Sequence, residues 1–189
     1  MKIRTFFAVL LCKLARGLLR LLRRGGTAFP GRVALKVYPQ VLGVLSRGVR
    51  VILVTGTNGK GSTARMAEAL CRAYGLRTGL YTSPHLERIN ERIAIDGQEL
   101  SDDDFVDMWD QIKDLVAIVD AKMAESGRPP MSFFEVLTAM AIWKFADTPV
   151  DVAIVEVGMG GLWDATNVLN ADAAIIGPVD MDHMQWLGD

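Results

Sequence analysis

The chain of 189 residues predicts an α/β fold with a mostly parallel sheet flanked by helices. Short apolar runs alternate with amphipathic stretches from Arg50 onward, which is the pattern of strands joined by crossover helices. The first apolar run, 51–54, leads straight into a glycine-rich turn and then a helix-forming stretch. Polar side chains follow several of the apolar runs, where open α/β sheets place their sites.

The most specific motif is the glycine-rich turn Gly56-Thr57-Asn58-Gly59-Lys60-Gly61-Ser62. Its glycines let backbone N–H groups approach phosphate oxygens, and the following helix directs its positive end at the same anion. Lys60 adds a mobile cation, and Ser62 offers a hydroxyl to Mg²⁺. The motif departs from G-x-x-x-x-G-K-[ST], because Val54 replaces the first glycine and Gly61 separates the lysine from the hydroxyl. We predict a nucleoside triphosphate site here rather than a turn that binds nothing.

The remaining elements are predicted from the periodicity of apolar residues and from the turn residues between the elements. Further strands are predicted at 78–81, 92–95, 150–155 and 173–176, and helices at 64–74, 101–125 and 132–145. The helix at 101–125 has an acidic start, which suits the helix dipole. Ser132 and Glu135 form the sequence pattern of a capping box.

Four places at the ends of predicted strands carry candidate site residues: the phosphate loop, Ser83–His85, Glu156 and Asp182–His183. Glu156 ends an apolar strand, where a carboxylate can hold Mg²⁺ or its water shell. It can equally cap a neighbouring helix, and either histidine can be an ordinary loop residue. Trp163 lies in a glycine-containing loop, which favours an exposed ring that faces a substrate.

Charge divides the chain unevenly. Residues 1–50 hold 11 of the 21 Lys and Arg residues and no Asp or Glu, although the whole chain has a net charge of −1. We therefore predict a basic amphipathic arm and connector at 1–48 and an ATP-binding domain at 49–189. An apolar stripe at helical spacing runs along the arm, and the cations lie mostly on the opposite face. The stripe consists of Ile3, Phe6, Leu10, Leu14, Leu18 and Leu21. Three interpretations of 1–24 stay open: a helix packed on its own domain, a partner-docking helix, or a membrane-surface helix.

Composition excludes several function classes. Cys12 and Cys71 show neither C-x-x-C spacing nor a nearby histidine cluster, which argues against zinc and favours a reduced, cytoplasmic protein. The uncharged run near the N-terminus is too short to span a bilayer. The basic residues lie on an apolar helix without a nucleic-acid motif, so we expect no nucleic-acid partner.

Taken in order along the chain, the motifs resemble the folylpolyglutamate synthase/dihydrofolate synthase branch of the Mur ligase superfamily over residues 50–189. They are Gly56-Thr57-Asn58-Gly59-Lys60-Gly61-Ser62, Thr82-Ser83-Pro84-His85-Leu86, Glu91-Arg92-Ile93, Ser132-Phe133-Phe134-Glu135, Glu156-Val157-Gly158-Met159-Gly160-Gly161, Asp164-Ala165-Thr166-Asn167 and Asp182-His183. The resemblance implies a Mur ligase-type central domain with ATP and Mg²⁺ as cofactors. It also implies an amide ligase that adds L-glutamate to dihydropteroate or to a folate.

The resemblance assigns roles residue by residue. Asn58, Gly59, Lys60, Gly61 and Ser62 would bind ATP, and Lys60, Glu156 and His183 would be catalytic. Ser83, Glu156 and His183 would ligate Mg²⁺. The pterin site would be lined by Ser132, Phe133, Phe134, Glu135, Trp163, Asp164 and Ala165. Leu162 stands where the family usually has an arginine. Any contact that this arginine makes in the family would be missing here or supplied by another residue.

Two departures from the family accompany the resemblance. Residues 24–36 are similar to the opening of MurT, the Mur-like subunit of lipid II isoglutaminyl synthase, so a join between two related genes would explain the chain. The motifs stop at 186–189, partway through the central domain, and we expect the glutamate-binding C-terminal domain to be absent. Two alternatives therefore stand beside the folate ligase: a MurT-like subunit and a non-catalytic nucleotide-binding protein.

Overall fold

The structure, a computed structural model, describes residues 48–187. These form six strands, β1 (Arg50–Thr55), β2 (Thr78–Tyr81), β3 (Ile93–Ile95), β4 (Gln98–Glu99), β5 (Val152–Glu156) and β6 (Ala173–Ile176). The α-helices in the same part of the chain are α1 (Lys60–Ala73), α2 (Asp102–Glu125), α3 (Phe133–Asp147) and α4 (Met184–Leu187), and 3-10 turns cover Ile89–Arg92 and Ala165–Val168. The predicted basic arm lies outside the described residues.

The strands form one sheet in the order β4-β3-β2-β5-β1-β6. β2, β5, β1 and β6 are parallel, while β3 and β4 add an antiparallel edge. In register, Val54 lies beside Glu156 of β5 and Ile175 of β6. The carboxyl ends of β1, β5 and β6 therefore meet at one edge of the sheet. The predicted α/β fold with a mostly parallel sheet is confirmed.

One cluster of the core lies between the sheet and α1. Its buried members are Val54, Ala64, Leu80, Ala94, Val152 and Ile154. Every residue of β5 is buried, as expected for a central strand of a parallel sheet. Helix α3 also approaches the sheet closely, since a Cβ added to Gly79 of β2 would lie 2.6 Å from the ring of Phe145. A glycine is thus required where α3 crosses β2.

The predicted boundaries are close to the observed ones, with one difference that matters for the site. Helix α1 begins at Lys60, four residues before its predicted start, so Gly61, Ser62 and Thr63 are helical. Gly59 makes this possible because it adopts a left-handed conformation, with φ 76°, immediately before the helix. The loop is correspondingly shorter, and Lys60 lies in the first turn of the helix.

The chain divides into two compact units, Val49–Phe105 with Leu137–Asp189 and a second unit that includes Val106–Val136. In the second unit, the Asp120 carboxylate accepts a hydrogen bond of 2.8 Å from the backbone N–H of Met131. The predicted capping box is present: Glu135 accepts from the Ser132 N–H at 2.6 Å and donates its own N–H to the Ser132 hydroxyl at 3.3 Å. Among residues 48–187, no helix is both long and apolar enough to cross a membrane.

Candidate active site

The phosphate loop connects β1 to α1 at the carboxyl edge of the sheet. Gly56 and Gly59 both have positive φ, at 131° and 76°, which turns the backbone toward the start of the helix. Gly59 is the N-cap residue, and no side chain caps the first helical N–H groups. Asn58 and Gly59 are exposed. Unsatisfied N–H groups at an exposed helix N-terminus form an anion-binding site.

Lys60 and Thr57 organise this loop. The Lys60 ammonium donates to the carbonyl oxygens of Gly56 at 2.9 Å and Thr57 at 3.3 Å. The Thr57 hydroxyl donates to the carbonyl of Asp180 at 2.9 Å and accepts from the Asp180 N–H at 2.8 Å. The segment after β6 is thereby tied to the phosphate loop, and the lysine is held beside the helix N-terminus.

Glu156 ends β5 directly beside the phosphate loop and is only 4% exposed. A Cβ added to Gly61 would lie 3.3 Å from its Oε2 atom, so the start of α1 packs against the carboxylate. Burial raises the pKa of Glu156, while the Ser83 N–H and the charges of Lys60, Arg65 and Arg92 act in the opposite direction. The carboxylate thus lies beside the start of α1, and its hydrogen bond comes from the Ser83 N–H in the loop after β2.

The loop after β2 brings Ser83 to the same place. The backbone N–H of Ser83 donates to Glu156 Oε2 at 2.9 Å, and the Ser83–Pro84 peptide bond is cis. Two residues on, His85 accepts a hydrogen bond of 2.9 Å at Nδ1 from Arg92 Nε. The structure therefore joins Ser83 and Glu156, as predicted for two members of the metal set.

A Mg²⁺ site built on Ser83, Glu156 and His183 fits the structure only in part. Oxygen donors suit Mg²⁺, and the Glu156 carboxylate lies beside Ser83 and the hydroxyl-bearing start of α1. His183 has positive φ, at 52°, and its Nε2 lies 3.7 Å from Asp182 Oδ2. Within residues 48–187 no hydrogen bond links His183 to Glu156, and no group of three His, Cys, Asp or Glu side chains is placed to hold a metal ion.

The loop after β5 carries one group of the predicted substrate residues. Asp164 holds this loop, because its carboxylate accepts from the backbone N–H of Met159 at 2.9 Å and of Thr166 at 3.0 Å. The Trp163 ring is 91% exposed, as predicted. Ala165 begins the 3-10 turn. In this loop, Asp164 is a structural anchor, and Trp163 is accessible together with its neighbour Leu162, which is 73% exposed.

The other predicted substrate residues begin α3. Ser132 and Glu135 form the capping box, and Phe133 is exposed while Phe134 is half-buried. All four belong to the unit that includes Val106–Val136. The contacts of Ser132 and Glu135 are those of a helix start, so the role of the four residues in substrate binding stays a prediction.

The sequence analysis did not assign a role to Arg92 or Tyr81. Arg92 is buried beside His85 and affects the pKa of Glu156. Burial raises the pKa of Tyr81 to about 12, and its hydroxyl lies 3.1 Å from that of Thr138. A cation directly before an apolar strand was the available signal for Arg92. For Tyr81 there was none, because its partner lies 57 residues away.

Known proteins that are similar to this chain in sequence and in fold are folylpolyglutamate synthases. A dihydrofolate synthase/folylpolyglutamate synthase of Mycobacterium tuberculosis is 50% identical over 162 residues, 84% of this chain and 33% of the relative. The same enzyme of Escherichia coli is 40% identical over 147 residues, 78% of this chain and 32% of the relative. The chain thus spans about a third of the length of these relatives. The aligned stretch of 162 residues is longer than the 140 residues of 50–189. The Mycobacterium match therefore also extends upstream of residue 50.

Solved structures agree with the sequence matches. Mycobacterium tuberculosis folylpolyglutamate synthase complexed with ADP has a TM-score of 0.73 at 46% identity, covering 96% of this chain and 40% of that chain. A folylpolyglutamate synthase complex with AMPPCP and folate has a TM-score of 0.68 at 39% identity. The match covers 78% of this chain and 35% of that chain. No family model matches the chain. Over the matched region, this chain belongs to the folylpolyglutamate synthase/dihydrofolate synthase family of the Mur ligase superfamily.

Proposed function

We propose that this chain provides the ATP-binding part of a ligase that joins L-glutamate to dihydropteroate or to a folate. The observation that carries the proposal is the arrangement of an uncapped helix N-terminus, Lys60 and the buried carboxylate of Glu156 at one sheet edge. Related structures contain ADP or AMPPCP, and one contains folate as well. Those ligands support a nucleotide site at the phosphate loop of this chain.

The chemistry begins with phosphoryl transfer from ATP to a substrate carboxylate. A carboxylate oxygen forms a bond to the γ-phosphorus as the bond to ADP breaks, which gives an acyl phosphate. The amine of glutamate then attacks the acyl carbon, loses its proton, and phosphate leaves. Such transfers depend on positioning and charge stabilisation, so no nucleophilic side chain is needed.

Lys60 and the start of α1 supply the charge stabilisation. The Lys60 ammonium, bonded here to two loop carbonyls, would exchange those bonds for bonds to the outer phosphates. The N–H groups of Gly61 and Ser62 face the same anion. Asn58, exposed at the tip of the loop, would contact the nucleotide.

Glu156 and Ser83 would hold Mg²⁺, with His183 as the third residue of the predicted set. Bound Mg²⁺ supplies positive charge to the β- and γ-phosphate oxygens. The chain's own residues favour the ionised form of this carboxylate. The Ser83 N–H and the cations around Glu156 oppose the larger effect of burial, which raises its pKa.

The first test is nucleotide binding. Titration calorimetry of the chain with ADP and Mg²⁺ should give binding that Lys60→Ala weakens at least about tenfold, because the ammonium contacts the phosphates. Lys113→Ala removes an exposed lysine of α2 and is the matched control. Equal affinities for wild type and Lys60→Ala would refute the nucleotide site.

The second test addresses the ligase reaction. Residues 50–187 of this chain replace the corresponding segment of the Mycobacterium tuberculosis enzyme, and addition of glutamate to dihydropteroate and to a folate is measured. We expect turnover that Glu156→Gln in the same chimera abolishes. A folded chimera that binds ADP but adds glutamate to neither substrate would contradict the proposed reaction while leaving the nucleotide site intact.

A further inference from the structure

The segment after β6 runs against the phosphate loop, backbone to backbone. Thr55 pairs with Ile176 at the end of the β1–β6 ladder, and the Gly177 N–H then donates to the Thr55 carbonyl at 2.8 Å. A Cβ added to Gly56 would lie 3.1 Å from backbone atoms of Gly177, so no side chain separates the two backbones there. Because the two backbones are in contact, a movement of the phosphate loop acts directly on the segment after β6.

Thr57 continues this contact beyond the ends of the strands. Its backbone N–H donates to the Pro178 carbonyl at 2.7 Å. Its hydroxyl donates to the Asp180 carbonyl at 2.9 Å and accepts from the Asp180 N–H at 2.8 Å. A hydroxyl has one proton to donate, and here a backbone carbonyl accepts it. The Thr57 hydroxyl therefore has no proton left for a phosphate oxygen, and its observed role is to hold the segment after β6.

The same segment carries His183, three residues after Asp180. The Asp180 carboxylate accepts from the N–H of Met181 at 2.7 Å, and the Asp182 carboxylate accepts from the N–H of His183 at 2.8 Å. His183 has a left-handed φ of 52°, and α4 begins at the next residue. Local hydrogen bonds thus set the path of the chain from Asp180 to His183, and Thr57 fixes the point at which that path starts.

Thr57 also contacts the residue that is expected to respond to the nucleotide. Its carbonyl accepts from the Lys60 ammonium at 3.3 Å, and the Gly56 carbonyl accepts from the same group at 2.9 Å. In the proposed function, Lys60 exchanges these two bonds for bonds to phosphate. Thr57 therefore contacts the cation that would bind the nucleotide on one side and the segment that carries His183 on the other.

We propose that Thr57 is a positioning residue that couples the occupancy of the phosphate loop to the placement of residues 178–183. The inference rests on the nucleotide site of the proposed function. The hydroxyl keeps Asp180 beside the loop, so a bound nucleotide that orders the loop also orders the segment with His183. Such coupling is reciprocal, and an ordered segment also favours nucleotide binding. Threonine suits this role because branching at Cβ restricts its rotamers, and its hydroxyl both donates and accepts.

Hydrogen–deuterium exchange of the full chain, with and without Mg-ADP, tests the coupling. Without nucleotide, Thr57→Val should speed exchange of the amides of 180–183 at least about tenfold, because both bonds to Asp180 are lost while the side-chain shape is kept. Thr57→Ser retains the hydroxyl and should restore the exchange rates of the wild type. Mg-ADP should slow exchange at the start of α1 and at 180–183 in the wild type, but only at the start of α1 in Thr57→Val. Thr148→Val, at a half-buried threonine between α3 and β5, is the matched control and should behave as the wild type.

The other outcomes decide against the proposal. Exchange of 180–183 at the wild-type rate in Thr57→Val, or full protection of 180–183 by Mg-ADP in that variant, would overturn it. Thr57→Ser that exchanges as fast as Thr57→Val would show that the hydroxyl is not the cause. If Thr57→Val misfolds, Thr57→Ala is measured in the same way and with the same expectations. A wild type that does not bind ADP would refute the nucleotide site and the coupling together, whereas ADP binding without protection of 180–183 would refute the coupling alone.

Discussion

Glu156, the residue proposed to hold Mg²⁺, is a buried carboxylate that lowers the stability of the fold. Its carboxylate is buried against α1, and burial raises its pKa. Three cations and the Ser83 N–H offset that effect without cancelling it. A neutral side chain of the same shape would fit the fold better, because a buried charge is costly. This cost in stability agrees with the metal-holding role proposed for Glu156.

Glu156→Gln should consequently separate stability from binding. We expect its unfolding temperature to be equal to or higher than that of the wild type, since the desolvated charge is removed. The Mg²⁺-dependent part of ADP affinity should fall about tenfold or more. Calorimetric titrations with and without Mg²⁺, together with thermal unfolding, measure both effects. Glu99→Gln, on an exposed strand, should alter neither.

A second carboxylate, Glu91, organises the loop after Ser83. Backbone N–H groups of Leu86, Arg88 and Glu87 donate to it and lower its pKa to about 2. Since the folded pKa lies below the unfolded value, the stabilisation is present above about pH 4.5 and is lost as the pH falls toward 2.

Glu91→Gln should therefore lower stability at pH 7, and its difference from the wild type should shrink as the pH falls below about 4.5. Urea unfolding at a series of pH values between 7 and about 2 measures this trend. Glu87→Gln changes an exposed neighbour and serves as the comparison. A difference that stays constant over this pH range would contradict the assigned cause.

At the residue scale, motif position predicted Lys60 and Glu156 correctly as neighbours at the sheet edge. The reason is physical: strand ends of a parallel sheet meet wherever the strands lie in sequence. The hydrogen bond from Arg92 to His85 was not predictable, because it depends on the path of a loop. His183 was predicted beside Glu156, and in the described residues no hydrogen bond joins them, so its metal role stays a prediction.

At the element scale, apolar runs predicted the strands well. β2 and β6 have the predicted bounds, and β1 and β5 differ by one or two residues at their ends. Helix α1 was harder to delimit, since Gly61 inside a helix weakens the sequence signal. The proximity of Glu156 to Gly61 explains this glycine, and that proximity is a tertiary feature.

The capping box of α3 gives a test that distinguishes a helix start from a substrate contact. Ser132→Ala removes the side-chain acceptor for the Glu135 N–H and should cost about 1 kcal/mol of unfolding free energy. Ser132→Asp keeps an acceptor and should restore most of that stability. Urea unfolding of the three proteins measures the effect. If Ser132→Asp also supports glutamate addition in the chimera, the residue acts through the helix; loss of activity with full stability would favour a direct substrate contact.

The contact between α3 and the sheet depends on Gly79. Gly79→Ala places a methyl group within 2.6 Å of the Phe145 ring and should cost about 1–3 kcal/mol. Phe145→Leu removes the clashing ring atoms, so Gly79→Ala should cost less in that background. A double-mutant cycle in urea gives the coupling directly. Additive effects of the two changes would contradict the packing described for β2 and α3.

At the scale of the whole molecule, the division into two compact units was not predictable. The predicted division into an arm at 1–48 and a domain at 49–189 stays a prediction; within 49–189, Val106–Val136 groups apart from Val49–Phe105 and Leu137–Asp189. Helix α2 crosses the boundary without a break in its helical pattern, so no glycine, proline or charge change marks it. Composition therefore gives domain boundaries only where linkers interrupt the elements.

Nucleotide binding should slow hydrogen–deuterium exchange more in one compact unit than in the other. The phosphate loop, Ser83 and Glu156 all belong to the unit of Val49–Phe105 and Leu137–Asp189. A ligand at 100 times its Kd stabilises the binding state by about 2.7 kcal/mol. Hydrogen–deuterium exchange with and without Mg-ADP should therefore show slower exchange at the start of α1 and around Ser83. Residues 113–125 should change little. Lys60→Ala should remove the protection and Lys113→Ala should preserve it, whereas equal protection of both units would show that they respond to the nucleotide as one body.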